Sequence, residues 1–135
     1  MPEVLLKQTG KETYQVETPG GVVRFGGSSP GPMTTTAAAL VGCLAMSLSD
    51  TLTVMRQKIQ DIEMRASFER KKEEPKIFDQ FKIHIIFRGQ DLSQAKIEKA
   101  IHLSEEKTCP MSVMMRLIGV KVETSFSVEQ MTPAV

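Results

Sequence analysis

The sequence contains no tryptophan, one tyrosine and only two cysteines among its 135 residues. Two cysteines cannot complete a closed zinc site, and neither histidine lies at a ligand spacing from them, so we predict no metal. An excess of either charge is also missing, with 17 Lys and Arg against 16 Asp and Glu. Because nucleic-acid-binding domains normally carry a basic patch or a high pI, we predict no nucleic-acid partner.

Long hydrophobic runs are absent too. Gly42, Ser47 and Asp50 interrupt the longest weakly polar stretch, which predicts no membrane span. The amino terminus lacks the basic start and apolar core of a signal peptide. We therefore predict a cytoplasmic location, where cysteines are normally reduced. The length and the hydrophobic content of 41% indicate one domain over residues 1–135.

Three short β-strands are predicted at the start of the chain. The segments "EVLLKQ", "TYQVET" and "GVVRF" are separated by the turn sequences "TGK" and "PGG". Such short connections favour an antiparallel meander. The next segment, "GGSSPGP", has no side chain large enough to fill a core, so it predicts a loop whose backbone can approach a site.

A long helix is predicted next, capped by one residue of Thr34–Thr36 and continuing to about Gln57. Leucines recur at every fourth position from Leu40 to Leu52, and small residues form a neighbouring stripe. A helix that is apolar or small nearly all round has to be buried. Because one small chain can hardly supply that burial, we predict an oligomer, most simply a dimer.

The second half of the chain alternates strands and helices. Apolar and polar residues alternate in "IEMRASFERK" and "IFDQFKIHIIFRG", which predicts two strands joined by a charged turn. An amphipathic helix begins at the N-cap Ser93, with Leu92 placed to pack on Ile97. A short helix from about Ser112 to Ile118 and the strand "KVETSFSV" follow. The order of elements predicts an α+β fold.

Cys109 lies between two predicted helices, directly before Pro110. Proline pushes the preceding residue out of the helical region, so Cys109 can sit at the amino end of the next helix. Backbone N–H groups and the helix dipole there favour a thiolate. The alternative is a buried, unreactive thiol, which is the usual state of a free cysteine. The position alone leaves both interpretations open.

Cys43 lies inside the long helix, where burial among Ala and Leu would keep its thiol protonated. It becomes reactive only if a cation reaches it. Arg24 is the best-placed candidate by topology, because the third strand, the loop and the helix start adjoin. One partly desolvated guanidinium is enough to ionise a thiol at neutral pH.

Nine methionines are present, among them Met111, Met114 and Met115 close to Cys109. Flexible methionine side chains either line an apolar ligand pocket or fill gaps in a core. The sequence pattern does not decide between these two interpretations.

Two cysteine motifs carry a resemblance to a known family. In "GPMTTTAAALVGCLAMSL" a Pro stands ten to eleven residues before a cysteine in an Ala/Gly-rich helix, and in "EEKTCPMSVMM" the second cysteine is followed by Pro and Ser. With the closing "VKVETSFSV", the chain resembles the OsmC/Ohr superfamily of osmotically inducible and organic hydroperoxide resistance proteins over nearly its whole length. The resemblance implies an OsmC-like fold, with antiparallel sheets around a long buried helix, in an intertwined homodimer with its sites at the interface.

The resemblance also implies a thiol-dependent peroxidase without a cofactor. Cys43 would attack an organic hydroperoxide, release the alcohol and become a sulfenic acid. Cys109 would resolve the sulfenic acid to a transient disulfide, which a dithiol such as a lipoyl group would reduce. Arg24 would activate Cys43.

The residue after Pro32 departs from the family pattern. Members with peroxidase activity have a Glu there, which pairs with the activating Arg, whereas this chain has Met33. A second hypothesis is therefore a catalytically weak or inactive dimer that binds a small hydrophobic or sulfur-containing ligand at its interface. Its pocket would be lined by Met33, Met111, Met114 and Met115.

Overall fold

The fold is described for residues 1–132 of a computed structural model. It is α+β, as predicted, with the elements β1 (Leu5–Gly10), β2 (Thr13–Thr18), β3 (Gly21–Phe25), α1 (Pro32–Val54), β4 (Lys58–Arg70), β5 (Phe78–Gln90), α2 (Gln94–Leu103), a π-helical turn (Ser104–Thr108), α3 (Pro110–Leu117) and β6 (Lys121–Gln130). The chain divides into two compact units, Met1–Ala38 and a second that begins at Ala39. The single domain over residues 1–135 stays a prediction, and its last three residues lie outside the described part.

The first unit contains the predicted antiparallel meander, in which β2 pairs with both β1 and β3. Strand β1 is exposed along its whole length. Gly26, after β3, has a φ of 82°. A Cβ at this position would collide with the backbone oxygen of Glu12. The loop therefore requires glycine here to pass the first hairpin closely.

Helix α1 begins before the predicted threonine cap. Pro32 is its first residue, and proline suits this position because the N–H that it lacks has no partner in the first turn of a helix. The Oγ1 of Thr35 donates to the Gly31 oxygen at 2.9 Å, and that of Thr36 donates to the Pro32 oxygen at 2.7 Å. These hydroxyls bond back to the preceding turn, so the prediction of a threonine cap is wrong. The helix ends at Val54, earlier than predicted.

One stripe of α1 forms the centre of the core. Leu40, Leu44, Leu48 and Leu52 are all 0% exposed. On other faces the helix is open in the single chain, where Met46 is 72% exposed. Helix α1 is long and apolar enough to cross a membrane, by length and composition only. Core helices of soluble proteins meet the same criteria. Burial of the leucine stripe is confirmed, whereas burial all round is not supplied by this chain alone.

The second sheet has the order β4-β5-β6. Strand β5 pairs antiparallel with β4 and parallel with β6, so this sheet is mixed rather than wholly antiparallel. The parallel pair follows from the connection, because the helical crossover between β5 and β6 returns the chain in the same direction. The predicted alternation in β5 is confirmed, since four apolar side chains on one face are buried: Phe81, Ile83, Ile85 and Phe87.

The helical crossover has one feature that the sequence did not predict. Helix α2 starts as expected, with the Ser93 hydroxyl accepting from the Lys96 N–H at 3.3 Å. It then passes into the π-helical turn Ser104–Thr108, which places Cys109 at the N-cap of α3. Helix α3 begins at Pro110, two residues before its predicted start.

Candidate redox site

The two cysteines meet within the second unit. Cys43 comes from α1 and Cys109 from the N-cap of α3, and both are free thiols. Their sulfur atoms are 3.2 Å apart, and the Cys109 thiol donates a hydrogen bond to the Cys43 sulfur. A disulfide bond is about 2.05 Å long, so the sulfurs need to approach by only about 1.2 Å to form one. The closeness that the family resemblance implied is therefore present.

Backbone hydrogen bonds fix Cys109 at the junction of the π-helical turn and α3. Its N–H donates to the Ser104 oxygen at 2.8 Å, and its oxygen accepts from the Val113 N–H at 3.0 Å. Its φ of −97° and ψ of 103° are extended, as the following Pro110 requires. The predicted place of Cys109 at the amino end of a helix is confirmed.

The two thiols differ in exposure. Cys109 is 0% exposed, whereas Cys43 is half-buried and lines an open cavity of about 500 Å³. Apolar groups from Ala39, Gly42 and Met46 form much of the cavity wall beside it. A small molecule that enters this cavity reaches Cys43 before it reaches Cys109.

Burial raises the pKa of the Cys109 thiol. The hydroxyl and N–H of Ser112 oppose this shift, while the hydrogen bond to Cys43 adds to it. Burial is the largest of these effects on the pKa, and among the described residues the buried Ser112 hydroxyl has no hydrogen-bond partner of ordinary geometry. Burial thus outweighs the helix-terminus effect that the sequence suggested, and Cys109 holds its proton while it donates to Cys43.

Three hydroxyl groups join α1 to the π-helical turn. Ser47 Oγ donates to Ser104 Oγ at 2.9 Å and lies 2.6 Å from Thr108 Oγ1. Ser104 is fully buried. This cluster was not predicted from the sequence; its one local signal is a serine four residues after Cys43, on the same helix face.

A partly buried ion pair holds the other side of the turn. The Glu105 side chain is 9% exposed, and its Oε2 accepts from Arg116 Nη2 of α3 at 2.8 Å. The other carboxylate oxygen accepts a hydrogen bond from the Thr124 hydroxyl of β6. Glu105 therefore connects the turn to both α3 and β6. No sequence motif predicted this pair.

The remaining predicted site residues are spread over the chain. Arg24 is an exposed residue of β3 in the first unit, opposite Gln15, and its activating role stays a prediction. Met33 is half-buried in the first turn of α1, also within the first unit.

The α3 methionines do not line the cavity beside Cys43, as far as residues 1–132 show. Met111 is half-buried and Met114 is 51% exposed, whereas Met115 is buried. Met46 lines the cavity instead. Met46 was not among the predicted site residues, although it lies three residues after Cys43 and so on a neighbouring position of the helix surface. Residues 1–132 hold no cluster of three or more His, Cys, Asp or Glu side chains suited to a metal ion.

Comparison with known proteins settles the family. The model of the family described as "OsmC-like protein" matches residues 25–125, well over half of the chain. The chain belongs to the OsmC-like family. It is 34% identical over 90 residues to Protein YhfA of Escherichia coli K12, and the match covers 67% of each protein.

Two crystal structures show the same OsmC-like fold. A hypothetical protein from Aquifex aeolicus VF5 has a TM-score of 0.90 at 23% identity, covering 98% of each chain. The organic hydroperoxide resistance protein OhrB of Bacillus subtilis has a TM-score of 0.65 at 20% identity, covering 94% of this chain and 98% of its own. The resemblance seen in the cysteine motifs is confirmed at the level of family and fold.

Proposed function

We propose that this OsmC-like protein is a thiol peroxidase for organic hydroperoxides, with Cys43 as the peroxidatic and Cys109 as the resolving cysteine. The carrying observation is a pair of sulfurs 3.2 Å apart, of which only Cys43 faces an open cavity. The substrate class is supported by the structural neighbour that is named an organic hydroperoxide resistance protein.

The first step oxidises Cys43. Its thiolate attacks one peroxide oxygen, an S–O bond forms, and the O–O bond breaks. The departing alkoxide takes a proton and leaves as the alcohol, and Cys43 becomes a sulfenic acid. The apolar surface of Ala39, Gly42 and Met46 favours an organic hydroperoxide over hydrogen peroxide, because contact with the alkyl group removes apolar surface from water.

The second step forms the disulfide. The Cys109 sulfur attacks the Cys43 sulfur, the S–O bond breaks, and the hydroxide leaves as water with the proton of Cys109. A dithiol reductant of the lipoyl type then reduces the disulfide and becomes a disulfide itself. Burial of Cys109 suits this order, because its shielded and protonated thiol does not compete with Cys43 for peroxide.

Arg24 is proposed as the activating cation and a second copy of the chain as the partner. The exposed β1 and the exposed faces of α1 are what an intertwined homodimer would cover. We place the protein in the cytoplasm, where dithiol reductants keep thiols reduced. Met33, in the place of the family's Glu, leaves Arg24 without its usual partner, so we expect slower turnover than in relatives with that Glu.

Intact mass after one equivalent of cumene hydroperoxide, without reductant, tests the proposal. We expect the loss of two hydrogens, faster than with hydrogen peroxide in a parallel sample. Cys43→Ser should prevent oxidation, whereas Cys109→Ser should stop at a sulfenic acid that dimedone traps. An unchanged mass, with both thiols still open to alkylation on unfolding, would contradict a peroxidase.

A second candidate is a dimer that binds an apolar or sulfur-containing ligand without catalysis. Met33 in the Glu position and the apolar cavity wall favour it. Iodoacetamide alkylation across pH separates the two candidates. In a peroxidase, iodoacetamide should alkylate Cys43 near neutral pH. In a binding protein with inert thiols, it should react only well above neutral pH or after unfolding.

A further inference from the structure

We propose that Ser47 is a positioning residue that holds Cys109 beside Cys43 by hydrogen bonding to both ends of the π-helical turn Ser104–Thr108. The proposal rests on the function given above, since it assigns a role in forming the disulfide. Ser47 also lines the cavity beside Cys43, but in the role proposed here it acts through the turn and not on the reacting sulfurs.

The first link runs through Ser104. Ser47 Oγ donates to Ser104 Oγ at 2.9 Å, and the backbone oxygen of Ser104 accepts from the Cys109 N–H at 2.8 Å. Ser104 is 0% exposed, so water does not compete for its hydroxyl. Two hydrogen bonds therefore connect α1 to the backbone of Cys109.

The second link runs through Thr108, the residue before Cys109. Its hydroxyl lies 2.6 Å from Ser47 Oγ. Ser47 thus binds the first and the last residue of the turn. Because Ser47 and Cys43 are four residues apart on α1, they share a helix face. These hydrogen bonds of Ser47 therefore set the distance between the turn and the face of α1 that carries Cys43.

The far side of the turn is held independently. Glu105 bonds Arg116 of α3 and Thr124 of β6, with no part of α1 involved. Among residues 1–132, the side-chain hydrogen bonds between α1 and the turn are those of Ser47. Loss of its hydroxyl would remove both of these bonds to α1 while leaving the turn attached to α3 and β6.

The expected consequence is a weaker disulfide. The stability of a disulfide rises with the fraction of time that the two thiols spend within bonding reach, as an effective concentration. In Ser47→Ala the turn is free to move away from α1, and Cys109 spends less time beside Cys43. The equilibrium between the dithiol and the disulfide therefore shifts toward the dithiol.

The test is the equilibrium of the Cys43–Cys109 pair in a dithiothreitol redox buffer, read by alkylation and mass. We expect Ser47→Ala to shift this equilibrium about tenfold toward the dithiol, which corresponds to about 30 mV. Ser47→Thr, which keeps the hydroxyl, should have the equilibrium of the wild type. Ser49→Ala is the matched control, since Ser49 is an exposed serine on the same helix. Equal equilibria in wild type, Ser47→Ala and Ser49→Ala would overturn the proposal.

A second variant covers the case in which Ser47→Ala fails to fold. Thr108→Val removes one of the two links at an exposed residue, and we expect a shift of a few-fold in the same direction. No shift in folded Thr108→Val would also overturn the proposal. The buffer contains no peroxide, so its result is separate from the proposed function. If wild type resists cumene hydroperoxide while Ser47→Ala still shifts the equilibrium, the peroxidase fails and the positioning role stands.

Discussion

Replacing Arg116 with methionine should destabilise the fold by an amount that the geometry of its ion pair sets. Methionine keeps the apolar stem of the side chain but leaves the Glu105 carboxylate, which is 9% exposed, without its cation. Breaking a fully buried pair costs about 3–5 kcal/mol, and exposed pairs contribute about 0–1 kcal/mol. The Arg116 side chain is 39% exposed, so solvent screens the pair, and we expect a loss of about 2 kcal/mol.

Urea unfolding followed by circular dichroism, at one protein concentration for all variants, measures this loss. The matched control is Lys7→Met, which breaks an exposed pair with Glu17 whose side chains are 59% and 44% exposed. It should cost less than about 1 kcal/mol. Glu105→Gln combined with Arg116→Met should recover part of the loss, because the amide carries no charge and still accepts from Thr124. Equal costs for Arg116→Met and Lys7→Met would refute the reasoning.

Three further predictions concern the core, the Cys109 thiol and the cavity. Leu44→Ala, at a fully buried position of α1, should lower the free energy of unfolding by about 2–5 kcal/mol in urea titrations. The raised pKa of Cys109 contributes stability that is present below the unfolded pKa of about 8.5 and lost as pH rises through the folded value, so the fall in stability between neutral and alkaline pH under reducing conditions should be smaller in Cys109→Ser. Met46→Gln should raise the KM for cumene hydroperoxide several-fold and that for hydrogen peroxide much less; equal changes would contradict an apolar substrate contact.

Local patterns predicted the elements well. The Ser93 cap, the alternation in β5 and the leucine stripe of α1 are each encoded within one segment, and the structure confirms all three. The prediction of a threonine cap was wrong, also for a local reason. Because Pro32 begins the helix without a capping hydroxyl, the threonine hydroxyls donate to backbone oxygens of the preceding turn instead.

The candidate site was only partly predictable. Cys43 and Cys109 are 66 residues apart, and their meeting followed from a family resemblance rather than from periodicity. The π-helical turn could not be predicted, because the side chains that bond to it lie on three other elements: Ser47 on α1, Arg116 on α3 and Thr124 on β6. Long-range bonds of this kind decide local geometry without leaving a local pattern. The parallel direction of β6 depends on the same crossover.

The short distance between the two sulfurs bears on hyperoxidation. A sulfenic acid that meets a second peroxide before a thiol becomes a sulfinic acid, which is irreversible except in the 2-Cys peroxiredoxins that sulfiredoxin repairs. With Cys109 already 3.2 Å from Cys43, the intramolecular reaction of the proposed cycle would compete from the moment the sulfenic acid forms. A peroxidase of this geometry is suited to sustained removal of peroxide at high dose. It is poorly suited to signalling by a long-lived sulfenic acid.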